Sequence, residues 1–140
     1  MSYHHTDQQT LQAGADPADA TAGVVMIHGR GATARSILGL ANEFDAEGVA
    51  YLAPQAANRT WYPNSFMADI ESNEPYLSSA LRRVEETVAT LTEAGVPTDR
   101  IVLVGFSQGA CLASEFAARN ADRYGGLAAL SGGLIGPEGT

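Results

Sequence analysis

An α/β architecture, a mostly parallel sheet with helices on both faces, is what this sequence predicts, and two observations carry the prediction. Short apolar runs recur along the chain: Val24-Val25-Met26-Ile27, Val49-Ala50-Tyr51-Leu52, Ile101-Val102-Leu103-Val104 and Leu127-Ala128-Ala129-Leu130. They lack the polar alternation of a sheet open to water, which is how strands buried on both faces read. Between them lie stretches with helical spacing, and alternation of strand and helix argues for right-handed crossovers over such a sheet.

In chain order, Gln9-Thr10-Leu11-Gln12 reads as a short edge strand ahead of the buried run Val24 to Ile27. Ser36 to Phe44 places Ile37, Leu40, Ala41 and Phe44 at helical spacing, with Thr33 as the N-cap. After the run Val49 to Leu52, the segment Gln55 to Glu74 has no clear periodicity and holds Trp61, Tyr62, Pro63, Phe66 and Met67. A loop of that length in a compact domain is functional or disordered, and its aromatics argue against disorder. Leu77, Leu81, Val84, Val88 and Leu91 then form an apolar helical stripe, with Arg82, Arg83, Glu85 and Glu86 expected outward. Pro75 would open that helix, and Gly95 followed by Pro97 would close it. No internal repeat, low-complexity tract or second domain interrupts the pattern, so residues 1–140 read as a single domain.

The junction Ile101-Val102-Leu103-Val104-Gly105-Phe106-Ser107-Gln108-Gly109-Ala110 sets a serine between two glycines where a β-branched run gives way to good helix formers. This is the Gly-x-Ser-x-Gly nucleophile elbow in its required strand-turn-helix context. The turn is so tight that side chains at Gly105 or Gly109 would strike neighbouring backbone, while Ser107 takes strained dihedrals and projects its hydroxyl. The alternative is a glycine-rich turn whose serine merely caps the helix.

A second element supports the first. The strand Val24 to Ile27 runs into His28-Gly29-Arg30-Gly31-Ala32-Thr33, where Gly29 and Gly31 let backbone amides approach a ligand. The backbone N–H groups of Arg30 and of Gln108 are the expected oxyanion-hole donors. His28, just before the loop, is expected to hold the turn by a local hydrogen bond rather than to act as a general base.

Four stretches in order resemble the phospholipase/carboxylesterase family of α/β-hydrolases, which includes acyl-protein thioesterase-like enzymes. They are Ile27-His28-Gly29-Arg30-Gly31-Ala32-Thr33, Leu52-Ala53-Pro54-Gln55-Ala56, Gly105-Phe106-Ser107-Gln108-Gly109-Ala110 and Ala129-Leu130-Ser131-Gly132-Gly133. The resemblance implies a serine hydrolase of small or medium-sized carboxylic esters or thioesters, needing no metal or organic cofactor. It also implies that Trp61, Tyr62 and Phe66 border the active site and line an acyl or alcohol pocket, against the alternative that they simply pack over the core.

The departure from that pattern concerns catalysis. In α/β-hydrolases the acid and then the histidine follow the serine on downstream loops. Here His4, His5 and His28 all precede Ser107, and the acids after it are Glu115, Asp122 and Glu138. Glu115 and Asp122 are expected as solvated charge on or past the elbow helix, and Glu138 lies in a terminal Gly-Pro-Glu-Gly turn. The triad acid and histidine are therefore absent from these residues. The expectation is an N-terminal part of a hydrolase that lacks the C-terminal strands, leaves a sheet edge open, and is inactive alone.

Two rivals remain. A non-catalytic binding or assembly module would keep the front half of the fold, with a homodimer covering the open edge. Alternatively, Gly29-x-Gly31-x-x-Ala34 after a strand fits the fingerprint of dinucleotide-binding oxidoreductases. That reading needs an acid at the end of the next strand, and Val49-Ala50-Tyr51-Leu52-Ala53-Pro54 offers none.

Composition bounds the setting. Sixteen acidic residues oppose eight basic ones, all Arg, for a net charge of -8. The absence of Lys fits either a GC-rich genome or a high-salt cytoplasm, and the acidity favours salt adaptation. No Lys/Arg cluster beyond Arg82-Arg83 suggests a nucleic-acid partner, and neither a signal segment nor a membrane-spanning run is present, which predicts a cytoplasmic protein. Cys111, the lone cysteine, is expected as a small buried core residue.

Overall fold

The computed structural model describes residues 9–39, 47–56, 61, 76–119 and 124–130. Among the described residues five strands, β1 (Thr10–Gly14), β2 (Ala22–Ile27), β3 (Val49–Pro54), β4 (Ile101–Phe106) and β5 (Gly126–Leu130), form one sheet in the order β1-β3-β2-β4-β5. β1 runs antiparallel to β3 at one edge, and the remaining pairs are parallel. Each apolar run of the sequence is a strand, and β1 is the expected edge strand, shifted slightly toward its C-terminal end.

The helices are α1 (Ala34–Leu38), α2 (Tyr76–Glu93) and α3 (Gln108–Arg119), and they divide between the two faces. Register aligns Val25 with Leu52 on one side and with Leu103 on the other. That face packs against Leu77, Val84 and Leu91 of α2 and Leu112 and Phe116 of α3. The alternate residues Met26, Tyr51 and Ala53 point the other way, onto Ala34 and Ile37 of α1. The period-2 alternation of a strand thus feeds two separate cores. Each fully buried large aliphatic contributes about 1.5–3 kcal/mol to holding them together. No helix among the described residues is long and apolar enough to cross a membrane.

Local signals set the helix ends. Thr33 is the N-cap of α1: its Oγ1 accepts from the Ser36 N–H at 3.1 Å while the Ser36 Oγ accepts from the Thr33 N–H at 3.2 Å. The helix begins two residues before the predicted Ser36 and reaches Gly39 as its C-cap; Leu40 to Phe44 lie outside the described residues. Gly95 closes α2 with φ 108°, a value that favours glycine, and the Val96 N–H turns back to the Leu91 carbonyl at 3.0 Å. Pro75 lies outside the described residues.

Two expectations are corrected. Arg83 does not face outward: it is 7% exposed, and its Nη2 donates to Thr10 Oγ1 of β1 at 2.6 Å. The buried arc of α2 is wider than its five apolar residues, since Ala80 and Thr87 share it and bracket Arg83. Glu115 is not solvated charge either. It is buried on α3 and accepts from Arg119 Nε at 2.6 Å, one helical turn away.

Candidate active site

Ser107 sits between the last residue of β4 and the first of α3 with φ 56°, the only positive φ of a non-glycine residue among those described. Such a conformation costs about 1–3 kcal/mol and survives only where the surroundings impose it. The flanking glycines do so. A Cβ on Gly105 would come within 2.5 Å of the Gly109 carbonyl carbon and 2.7 Å of Ala110 Cα. A Cβ on Gly109 would strike the carbonyl of Ile27 and lie 2.5 Å from that of His28. The first turn of α3 therefore rests directly on the end of β2.

This contact brings the serine to the glycine loop. A Cβ at Gly29 would lie 3.1 Å from the Phe106 carbonyl oxygen and 3.4 Å from Ser107 Cβ, so the loop closes against the elbow because residue 29 has no side chain. Gly31 follows with φ 77°, and the Ala32 N–H returns to the Gly29 carbonyl at 3.2 Å, completing a tight turn around Arg30. Arg30 and Gln108 are the residues immediately after the Gly29 to Ser107 contact on its two sides.

His28 anchors this loop from below. It is fully buried; its Nε2 accepts from the Ala56 backbone N–H at 3.0 Å, which leaves the proton on Nδ1 to donate to the Gly29 carbonyl at 2.7 Å. Burial pushes its pKa down, and the bond to Gly29 opposes that shift without overcoming it. With both ring nitrogens committed inside the protein, His28 holds the turn. His4 and His5 lie outside the described residues, as do Asp122 and Glu138.

Two polar side chains complete the support. Gln55 Oε1 accepts from the Ala34 N–H at 2.8 Å, satisfying an otherwise open donor at the start of α1, while its Nε2 donates to the Ala56 carbonyl at 3.1 Å. Gln108 is 7% exposed, and its Oε1 accepts from the Trp61 backbone N–H at 2.8 Å. The Gln55 side chain is not among the sequence-predicted site residues, although a glutamine directly after a buried strand is a signal that its amide has a partner.

Trp61 lies deeper than a pocket wall would. Its ring is fully buried, stacks on His28 with centroids 5.0 Å apart, and its Nε1–H donates to the His28 carbonyl at 2.8 Å. Tyr62 and Phe66, its expected companions, lie outside the described residues. An apolar pocket of about 320 Å³ does open beside the elbow, between Gly29, Ala32, Ile37 and Phe106. Phe106 is 52% exposed there, a residue whose place in the sequence motif carried no predicted role beyond the elbow.

Comparison with known proteins agrees with this fold. The phospholipase/carboxylesterase family profile matches residues 6–139. A phospholipase/carboxylesterase crystal structure from Dyadobacter fermentans superposes with a TM-score of 0.93 at 46% identity, covering 100% of this chain and 66% of that one. The esterase PE8 structure shares the fold, with a TM-score of 0.76 at 24% identity over 91% of this chain and 65% of its own. Acyl-protein thioesterase 1 from Yarrowia lipolytica is 28% identical over 80% of this chain, which spans 57% of that protein. The chain thus covers somewhat less than two thirds of these relatives' lengths.

Proposed function

The chain belongs to the phospholipase/carboxylesterase family of α/β-hydrolases, and from that premise we propose that it carries the nucleophile half of a serine hydrolase acting on carboxylic esters or thioesters. The observation that carries the reading is Ser107 held at φ 56° between β4 and α3 by glycines that admit no Cβ. A strained, exposed serine at that junction is what acyl transfer needs and what a helix cap does not.

In this scheme Ser107 Oγ attacks the acyl carbonyl while a histidine takes its proton. The Arg30 and Gln108 amides receive the oxyanion, the alcohol or thiol leaves with a proton from that histidine, and water releases the acyl group. His28 does not serve as the base, because its two nitrogens are engaged by Gly29 and Ala56. His28 is the one histidine among the described residues, so the scheme assigns the base and its acid to none of them. The apolar pocket beside Phe106 would take the acyl or alcohol chain, with Tyr62 and Phe66 proposed as further lining residues.

Family membership also displaces the dinucleotide reading, since the open Cα of Gly29 is spent on the approach of Phe106 and Ser107. The non-catalytic module remains as a second reading, favoured by the position of all three histidines ahead of Ser107. A cytoplasmic, salt-adapted setting fits the acidic, lysine-free composition; a stability maximum in dilute buffer would count against the salt adaptation.

Labelling of the full-length protein by a fluorophosphonate, against a Ser107→Ala control, tests the reading. Stoichiometric labelling lost in the variant supports it, and p-nitrophenyl esters beside matched thioesters then separate the substrate classes. Equal labelling of protein and control identifies an inert serine and favours the module.

A further inference from the structure

We propose that Trp61 is a positioning residue that holds the two sides of the oxyanion hole in register, a role that rests on the hydrolase reading of Ser107. The two donors come from distant stretches of chain, Arg30 from the loop after β2 and Gln108 from the first position of α3. Trp61 bonds to both stretches. Its indole Nε1–H donates to the His28 carbonyl at 2.8 Å, two residues before Arg30. Its backbone N–H donates to Gln108 Oε1 at 2.8 Å.

Burial makes this clamp stiff. Trp61 is 0% exposed and its ring lies on that of His28, so neither bond is readily exchanged for one to water. His28 is itself held from its other side by the Ala56 N–H at 3.0 Å, so its ring is a fixed surface on which the indole is seated. The indole reaches the His28 carbonyl and the Gln108 side chain reaches the Trp61 backbone, so the two bonds brace, from a third segment, the direct contact of Gly109 with the end of β2.

The consequence is kinetic. Oxyanion donors act only when aimed at the position that the transition-state oxygen will occupy, and small misplacements cost rate far more than substrate binding. Trp61 touches no reacting atom in this scheme; it acts through His28 and Gln108.

The test uses the full-length protein and p-nitrophenyl butyrate, with Ser107→Ala as the control for the hydrolase reading. Trp61→Phe keeps an aromatic ring against His28 and removes the indole donor, whereas Gln108→Met keeps side-chain length and removes the acceptor. Each is expected to lower kcat about tenfold or more while KM stays within about twofold. The rate of fluorophosphonate inactivation should fall in parallel, because its phosphoryl oxygen occupies the same hole. An unchanged kcat in Trp61→Phe, with only a lower unfolding midpoint, overturns the proposal and leaves Trp61 as a core residue. Should Trp61→Phe fail to fold, Gln108→Met decides alone, and an unchanged kcat there overturns it equally. Wild-type turnover no higher than that of Ser107→Ala removes the hydrolase reading, and the positioning role with it.

Discussion

Gly109 and His28 meet with no room for a side chain between them: a Cβ on Gly109 would lie 2.5 Å from the His28 carbonyl oxygen. That contact seats the N-terminal turn of α3 on the end of β2, and the positive φ of Ser107 follows from it. Gly109→Ala should therefore destabilise the protein by about 3 kcal/mol or more, because backbone on both sides has to move. Gly39→Ala is the matched control. Its φ is -56° and a Cβ there meets nothing within 4 Å, so the change should be neutral or stabilise by up to about 1 kcal/mol. Urea midpoints at equal m-values decide both.

His28 gives a pH dependence with a definite sign. Its folded pKa lies below the ordinary imidazole value of 6.5, so between the two values the unfolded chain binds more protons than the folded one. Its contribution to stability is then fully present above about pH 6.5 and is lost as pH falls toward the folded pKa, at up to about 1.4 kcal/mol per pH unit. Protonation of Nε2 would also cost the bond from the Ala56 N–H. A His28→Gln variant should be less stable at neutral pH but show a shallower decline on acidification. Urea unfolding of both proteins across about pH 5 to 7.5 checks this, since their carboxylates are otherwise the same. Parallel curves would show that His28 is not held neutral.

How much of this was legible in the sequence differs between elements for physical reasons. The strands and the elbow were readable because each depends on residues adjacent in the chain: apolar runs for burial, and Gly105, Ser107 and Gly109 for the turn. Arg83 was misread because helical periodicity reports only the mean direction of an apolar face. The partner that drew Arg83 inward, Thr10, is 73 residues away. Trp61 was singled out for its aromatic surface, yet what defines its place are two hydrogen bonds to His28 and Gln108, both long-range. Gln55 went unread for the same reason, since its acceptor role depends on where α1 begins. The elements were local knowledge, whereas the supports of the site are tertiary.

The Arg83 bond ties the edge strand to α2, and its loss should be measurable. Thr10→Val preserves shape and β propensity but removes the acceptor for Nη2. With a charged, buried donor on the other side, the cost should be about 1.5–3 kcal/mol, whereas Thr10→Ser should recover most of it. Thr10→Val with an unchanged urea midpoint would show that the guanidinium is satisfied without β1.

Ser107 should trade stability against function. At φ 56° a glycine is freer of strain than any residue with a Cβ, and Ser107 is exposed, so its side chain contributes little burial. Ser107→Gly should therefore stabilise the protein by about 1 kcal/mol, even though it removes the proposed nucleophile. Ser107→Ala removes the same hydroxyl but keeps the Cβ, so it should leave stability nearly unchanged. The pair separates two explanations of any gain. A gain in Ser107→Gly alone locates the cost in the backbone, as the geometry of the elbow requires. An equal gain in Ser107→Ala would locate it instead in the hydroxyl, and the strain argument for a nucleophile elbow would fail with it.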